Sequence, residues 1–189
     1  MKKAAFIIAL LSLSAVSCGG SNDTSGSSAK TKNAAITQTT ATPAPNAANC
    51  RLAPEAFAGV DLTSCNFAGR DFTRVNFSNS ILKYAIFMRT TLNGANFTSA
   101  NLAGAEMSDA RLNGAMLANA KLSGAIFSRA TLNGANLTNA TLTGTTFVKA
   151  NLTGADLTGA SMYGANFTGA NLSQARLPEG VPCPRGATC

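Results

Sequence analysis

The sequence predicts an all-β solenoid, in which the chain coils about an axis with four short strands to the turn. Three observations predict it. From Leu52 to Leu177 every fifth residue is Leu, Phe or Met, giving 26 consecutive positions without a miss. Two positions before each centre stands Ala, from Ala95 through Ala140 and again from Ala150 through Ala175. Bulk then recurs at 20 residues, with Phe67, Phe87, Phe127, Phe147 and Phe167 in one series and Met107 in its gap.

The period of five excludes the commoner architectures. In an α-helix five residues advance the side chain by roughly 140°, so the large residues would spiral and form no stripe. In a flat strand an odd period sends successive large residues to opposite faces, and Gly or Asn near each unit boundary would interrupt the ladder. A chain that turns a corner every five residues re-aims each central residue inward. The 20-residue period means four units to a coil. Along the axis Phe then stacks on Phe, which adds roughly 0.5–1.5 kcal/mol per pair beyond burial. Leu82, Leu102, Leu122, Leu142 and Met162 form a second column, and Leu92, Leu112, Leu132, Leu152 and Leu172 a third.

The units Ala95-Asn96-Phe97, Ala135-Asn136-Leu137, Ala150-Asn151-Leu152, Ala155-Asp156-Leu157 and Ala170-Asn171-Leu172 resemble the A(D/N)LXX motif of the pentapeptide-repeat family. The resemblance implies a right-handed quadrilateral parallel β-helix, here of about 6 coils of 20 residues, with the central residue and the small residue two before it both inward. At ~4.8 Å between stacked strands the coils would make a rod roughly 30 Å long.

Before the repeat, Met1 to Ser17 have the form of a secretory signal. Lys2 and Lys3 precede an apolar run, Ala4 to Leu13, too short to span a bilayer as a helix, and small residues lead up to Cys18. Ser14-Ala15-Val16-Ser17-Cys18 resembles the bacterial lipoprotein signal, which implies lipidation of Cys18; an ordinary cleaved signal is the alternative. Gly19 stands where an inner-membrane retention Asp would be, so the expected location is the outer membrane. The tract 18–49, rich in Ser, Thr, Ala, Asn, Gly and Pro, buries too little to fold. Read as a flexible tether, its 31 residues after Cys18 reach roughly 30 Å on average.

Four cysteines remain, Cys50, Cys65, Cys183 and Cys189, an even number suited to an oxidising compartment. A disulfide needs Cα atoms within about 7 Å, and the repeat holds its ends far apart. Local bridges, Cys50–Cys65 and Cys183–Cys189, are therefore expected, with a reduced, buried Cys50 and Cys65 as the alternative. Residues 50–59 would form an N-terminal cap, 60–177 the β-helix, and 178–189 a C-terminal cap begun by Pro178, Pro182 and Pro184.

Function must sit on outward positions. Three corners carry columns of Gly or Asn, as turns with positive φ require. The fourth carries Arg89, Asp109, Arg129 and Lys149, and a turn without a left-handed residue is expected there. With Ile86, Met88, Ile126 and Val148 beside it, this corner makes the face over the Phe67, Phe87, Met107, Phe127, Phe147, Phe167 column the candidate contact surface. Asn at the first position of a unit is expected to ladder with its copies on neighbouring coils.

The chain contains no His, no clustered carboxylates and no phosphate loop, so an enzyme is not expected, nor any cofactor or metal. Of the 15 Lys/Arg, the loss of Lys2 and Lys3 leaves 13 against 8 Asp/Glu, a balance of +5. The best known activity of the resembling family, topoisomerase binding by an acidic rod that mimics DNA, suits neither that charge nor an export signal. The basic residues lack aromatic interleaving, so nucleic acid is not an expected partner; an envelope protein or glycan and, through the lipid, a membrane are. Self-association into a homodimer has no signature in the sequence.

Overall fold

The computed structural model describes Asn49–Arg51, a short 3-10 turn, and residues 57–189. Cys18, the signal segment, the 18–49 tract up to residue 48, and residues 52–56 of the cap lie outside the described residues. The remainder is a right-handed quadrilateral β-helix whose four faces are built from single parallel pairings 20 residues apart, from Asp61 with Ile81 to Asp156 with Arg176. Face 1 is centred on Leu62, Leu82, Leu102, Leu122, Leu142 and Met162, face 2 on the Phe67–Phe167 series, face 3 on Phe72 and then Leu92 through Leu172, and face 4 on Phe57, Phe77, Phe97, Leu117, Leu137 and Leu157.

Five residues suffice for one unit because each backbone N–H finds an acceptor in a fixed place. In the unit Ala135–Asn139, Ala135 N–H closes the preceding turn on the Leu132 carbonyl and Asn136 N–H donates back one coil to Ala115. Leu137 and Asn139 N–H donate forward to Asp156 and Thr158. Only Thr138 N–H has no backbone acceptor, and Asn136 Oδ1 takes it at 3.0 Å. The same bond recurs from Thr63 to Asp61, Thr98 to Asn96, Thr153 to Asn151 and Ser173 to Asn171. The first-position Asn therefore does not ladder between coils, as the sequence suggested; it caps its own turn. A true Asn ladder runs two residues later, in the turn, where Asn113 N–H donates to Asn93 Oδ1 and Asn133 N–H to Asn113 Oδ1. Replacing Asn136 by Ala should cost about 1 kcal/mol in urea unfolding, while Asn136→Asp should be nearly neutral. Equal losses for the two variants would dismiss the capping role.

Inside, the centres and the small residues two before them are almost wholly buried. Where Ala gives way to a hydroxyl, the oxygen is satisfied: Thr90 Oγ1 donates to the Phe67 carbonyl and Thr145 Oγ1 to Leu122, each on the previous coil. Ring stacking on face 2 runs Phe127–Phe147–Phe167 at 5.1 and 4.9 Å, with Met107 separating this run from Phe67–Phe87. A second stack, Phe57–Phe77–Phe97 on face 4, has centroids 5.1 and 4.9 Å apart. Together with Phe67, Phe72 and Phe87 it makes a cluster of rings at the N-terminal end. Arg70 closes that end, its guanidinium 4.7 Å from the Phe72 ring centroid.

Both ends depart from the expected 60–177 limits. Phe57 is already fully buried in the core, and Gly59 N–H donates to Ser78 on the next coil. Beyond Leu177 the tail rejoins the coil. Ala187-Thr188-Cys189 repeats Ala170-Asn171-Leu172 above it, with Thr188 pairing to Asn171 and Leu172 N–H donating to Thr188. Pro184 follows over Phe167, because Ala187 N–H closes a turn on its carbonyl as Ala170 does on that of Phe167. In strict register residue 187 would hold that place, so the tail arrives three residues early. It does so by passing over face 1 without adding a strand. Met162 and Ala165 are left half-exposed and Tyr163 83% exposed, beside an apolar notch of about 390 Å³ lined by Val181 and Pro182.

Candidate functional site

The face 2–face 3 corner is built by the same turn as every other. Arg89, Asp109, Arg129 and Lys149 have φ of 56°, 60°, 58° and 57°, so the expectation of a turn without a left-handed residue is wrong. Tyr84, Ser99 and Asn139 adopt it too. The reason is cooperative: the N–H at each corner donates to the next coil, as Arg129 does to Val148 and Lys149 to Thr168. This lattice imposes the left-handed geometry on residues that would not choose it. Glycine becomes necessary only where a neighbour lies close. At Gly104 a Cβ would stand 2.6 Å from the Tyr84 ring, which lies across that corner.

Outward from the corner, the predicted residues come together along consecutive coils. Met88 is 39% exposed; Ile86, Ile126 and Val148 are half-buried, and Arg89, Arg129 and Lys149 exposed. A shallow hollow between Ala68, Gly69, Met88 and Arg89 measures about 310 Å³. Asp109 and Arg129 form a two-pronged pair, Nε to Oδ1 and Nη2 to Oδ2, both 2.7 Å. Glu106 turns away to take Ser108 N–H. The spacing of 20 in sequence could have revealed the Asp109–Arg129 pair, since residues so separated are neighbours on adjacent coils. Outside the expected face, Arg111 opens face 3 two residues after Asp109, and Arg185 stands in the tail's turn, three residues before the Thr188 pairing.

The Arg129 hydrogen bond holds the Asp109 carboxyl below the usual carboxylate range, with the charges of Arg129 and Arg89 adding to it. A group whose pKa is depressed on folding contributes stability above its unfolded pKa, about 3.9, and loses it as pH falls through the folded value. The pair is therefore intact at neutral pH and opens only in acid. Carboxyl NMR titration should place Asp109 lower than a free Asp, and Arg129→Gln should return it toward the ordinary value; no movement would exclude the pairing in solution. Asp61, Asp71 and Asp156 are held low chiefly by the hydroxyls of Thr63, Thr73 and Thr158, with the backbone N–H of the same residue second. They are turn caps rather than a reactive set. Among the described residues no group of three or more His, Cys, Asp or Glu could hold a metal ion, and no helix is long and apolar enough to cross a membrane.

The cysteines pair locally. Cys50 bonds Cys65 with Cα atoms 5.4 Å apart, and Cys183 bonds Cys189 at 6.1 Å. The second bridge ties the tail's last strand back to the loop that bypasses face 1.

A solenoid of five-residue units with Asn-capped turns and an Ala/Leu interior defines a class, and comparison with known proteins agrees. Residues 57–94, 95–134 and 135–174 match the family described as pentapeptide repeats (8 copies); the chain belongs to the pentapeptide-repeat family. Proteins of this family are generally structural or binding modules rather than enzymes. The chain is similar to the crystal structure of a pentapeptide repeat protein from the Arabidopsis thaliana thylakoid lumen, with 28% identity and TM-score 0.50, covering 71% of this chain and 76% of that one. It also resembles Rfr23 from the cyanobacterium Cyanothece 51142, at 24% identity and TM-score 0.42, with 68% and 90% covered. Full-length QnrB1, a plasmid-mediated fluoroquinolone resistance protein, aligns at 17% identity and TM-score 0.31 over 72% and 87%. Comparison with curated protein sequences gives no match.

Proposed function

We propose that this protein is a non-catalytic, membrane-tethered binding or spacing module of the bacterial cell envelope. The observation that carries the binding half is the asymmetry of the surface. Three corners carry mainly Gly, Asn and Ser, whereas the fourth presents Arg89, Asp109, Arg129 and Lys149 on consecutive coils beside Met88 and Ile126. The hydrogen-bond lattice beneath holds these side chains at a fixed spacing, which suits recognition without chemistry. Support for the tether is the signal-like run ending at Cys18 and the tract 18–49 that follows. Two disulfides suit an oxidising compartment.

DNA mimicry at a topoisomerase is the alternative, and the charge speaks against it. A duplex carries one negative charge per ~1.7 Å, while the charged corner here is positive. The tether is tested by metabolic palmitate labelling with membrane fractionation. Label and membrane association are expected for the wild type and loss of both for Cys18→Ala. An unlabelled cytosolic wild type would sink the envelope reading and restore the alternative.

A further inference from the structure

We infer that the edge between faces 2 and 3 is a binding track for a linear acidic polysaccharide. The inference deepens the envelope reading by naming the class of partner for its charged corner. Between residues 57 and 189 the chain has ten Lys and Arg, and five of them, Arg89, Arg111, Arg129, Lys149 and Arg185, lie along this one edge. Two acids lie along the same edge: Asp109 is held by Arg129, and Glu106, between Ile86 and Ile126 on face 2, takes Ser108 N–H. Four coils in succession, from Arg89 to Lys149, each present a cation there, and Arg185 extends the row onto the tail's turn.

With coils ~4.8 Å apart, the edge presents about one cation per coil, partly offset by Asp109 and Glu106. That density decides the partner. Duplex DNA carries a charge every ~1.7 Å and would be neutralised poorly by so sparse a row. Bases would also find nothing to stack on along the edge, since Tyr84 and Tyr163, the two tyrosines, belong to face 1. An anionic bilayer presents a plane of charge, but the row is confined to one edge, flanked by the neutral Asn93, Asn113, Asn133 ladder on one side and by Glu106 with half-buried Ile126 and Val148 on the other. A single polymer chain with one carboxylate or sulfate on each sugar fits both the spacing and the width. Hydroxyls of its sugars would meet the Asn and Thr side chains of face 3.

The test uses purified full-length protein and fluorescently labelled polygalacturonate, with neutral dextran, duplex DNA and phosphatidylglycerol vesicles as competitors. Polygalacturonate should bind and dextran should not. With about four charges engaged, affinity should fall about 50-fold between about 50 and about 200 mM salt. Arg89→Glu with Lys149→Glu should lower affinity at least tenfold, a change of about 1.4 kcal/mol or more. Lys83→Glu with Lys121→Glu, the same charge change on face 1, should lower it less than about threefold. All four residues are exposed, and circular dichroism checks that the variants fold. Equal losses in the two double variants, stronger binding of DNA or vesicles, or no binding to polygalacturonate would each overturn the inference. Because the assay is done on purified protein, failure leaves the Cys18 tether untouched, and failed palmitate labelling leaves the track untouched.

Discussion

Phe77→Ala should destabilise the protein by about 3–5 kcal/mol, the upper range for an aromatic truncated in a packed core. Phe77 is fully buried. Its ring stacks on Phe57 and Phe97 and meets Phe67, Phe72 and Phe87 edge-on or tilted. Removing it empties the centre of the N-terminal cluster and breaks both the face 4 stack and the ties between faces. Phe147, whose ring neighbours are Phe127 and Phe167 alone, should lose less when truncated. In a solenoid, energy is held between neighbouring coils, so hydrogen exchange in Phe77→Ala should rise first around residues 57–97 and last beyond Leu117. Uniform loss of protection, or a smaller effect than Phe147→Ala, would contradict this division of the core.

Reduction of Cys50–Cys65 should cost about 3 kcal/mol, the chain-entropy value for a loop of its length; the bridge spans 15 residues. Cys183–Cys189 spans 6 and should contribute about 2 kcal/mol. Each acts at an end, where coils lack a neighbour on one side. Differential scanning calorimetry of oxidised protein, of Cys50→Ala with Cys65→Ala, and of Cys183→Ala with Cys189→Ala separates them. A larger shift for the C-terminal pair would mean that the tail, rather than the N-terminal turn, governs unravelling.

The coil was legible in the sequence because size is what the interior selects, and size recurs visibly at Leu, Phe and Met. Direction of hydrogen bonding leaves no such trace. Asn151 bonding to Thr153 and Asn151 stacked on Asn171, its neighbour on the next coil, would be written with the same letters, so the capping role is visible only in the fold. Backbone geometry at Arg89 or Lys149 was misjudged for a related cause: residue preference describes an isolated turn, whereas here the next coil supplies the force. The Phe57–Phe77–Phe97 stack was overlooked because its column changes to Leu at Leu117. The tail's final strand was hidden by Pro184 in a Phe place and by a slip of three residues. Along the candidate edge, the sequence showed Arg89, Asp109, Arg129 and Lys149 as a column. Arg111 and Arg185 join it only through the fold, which sets the Arg111 strand and the tail's turn beside that corner.

That every unit makes the same set of hydrogen bonds to its neighbours makes length and orientation separately adjustable. Inserting 20 residues would lengthen the coil and leave every column in line. Inserting five would be as acceptable to the hydrogen bonds, yet everything downstream would rotate by a quarter turn about the axis. Arg129 and Lys149 would then leave the line of Arg89, and at the single junction each inward column would rest on that of the adjoining face. Away from that junction the coils would keep their packing, so such a variant would set the alignment of the outward charges apart from the hydrogen bonding that builds the coil.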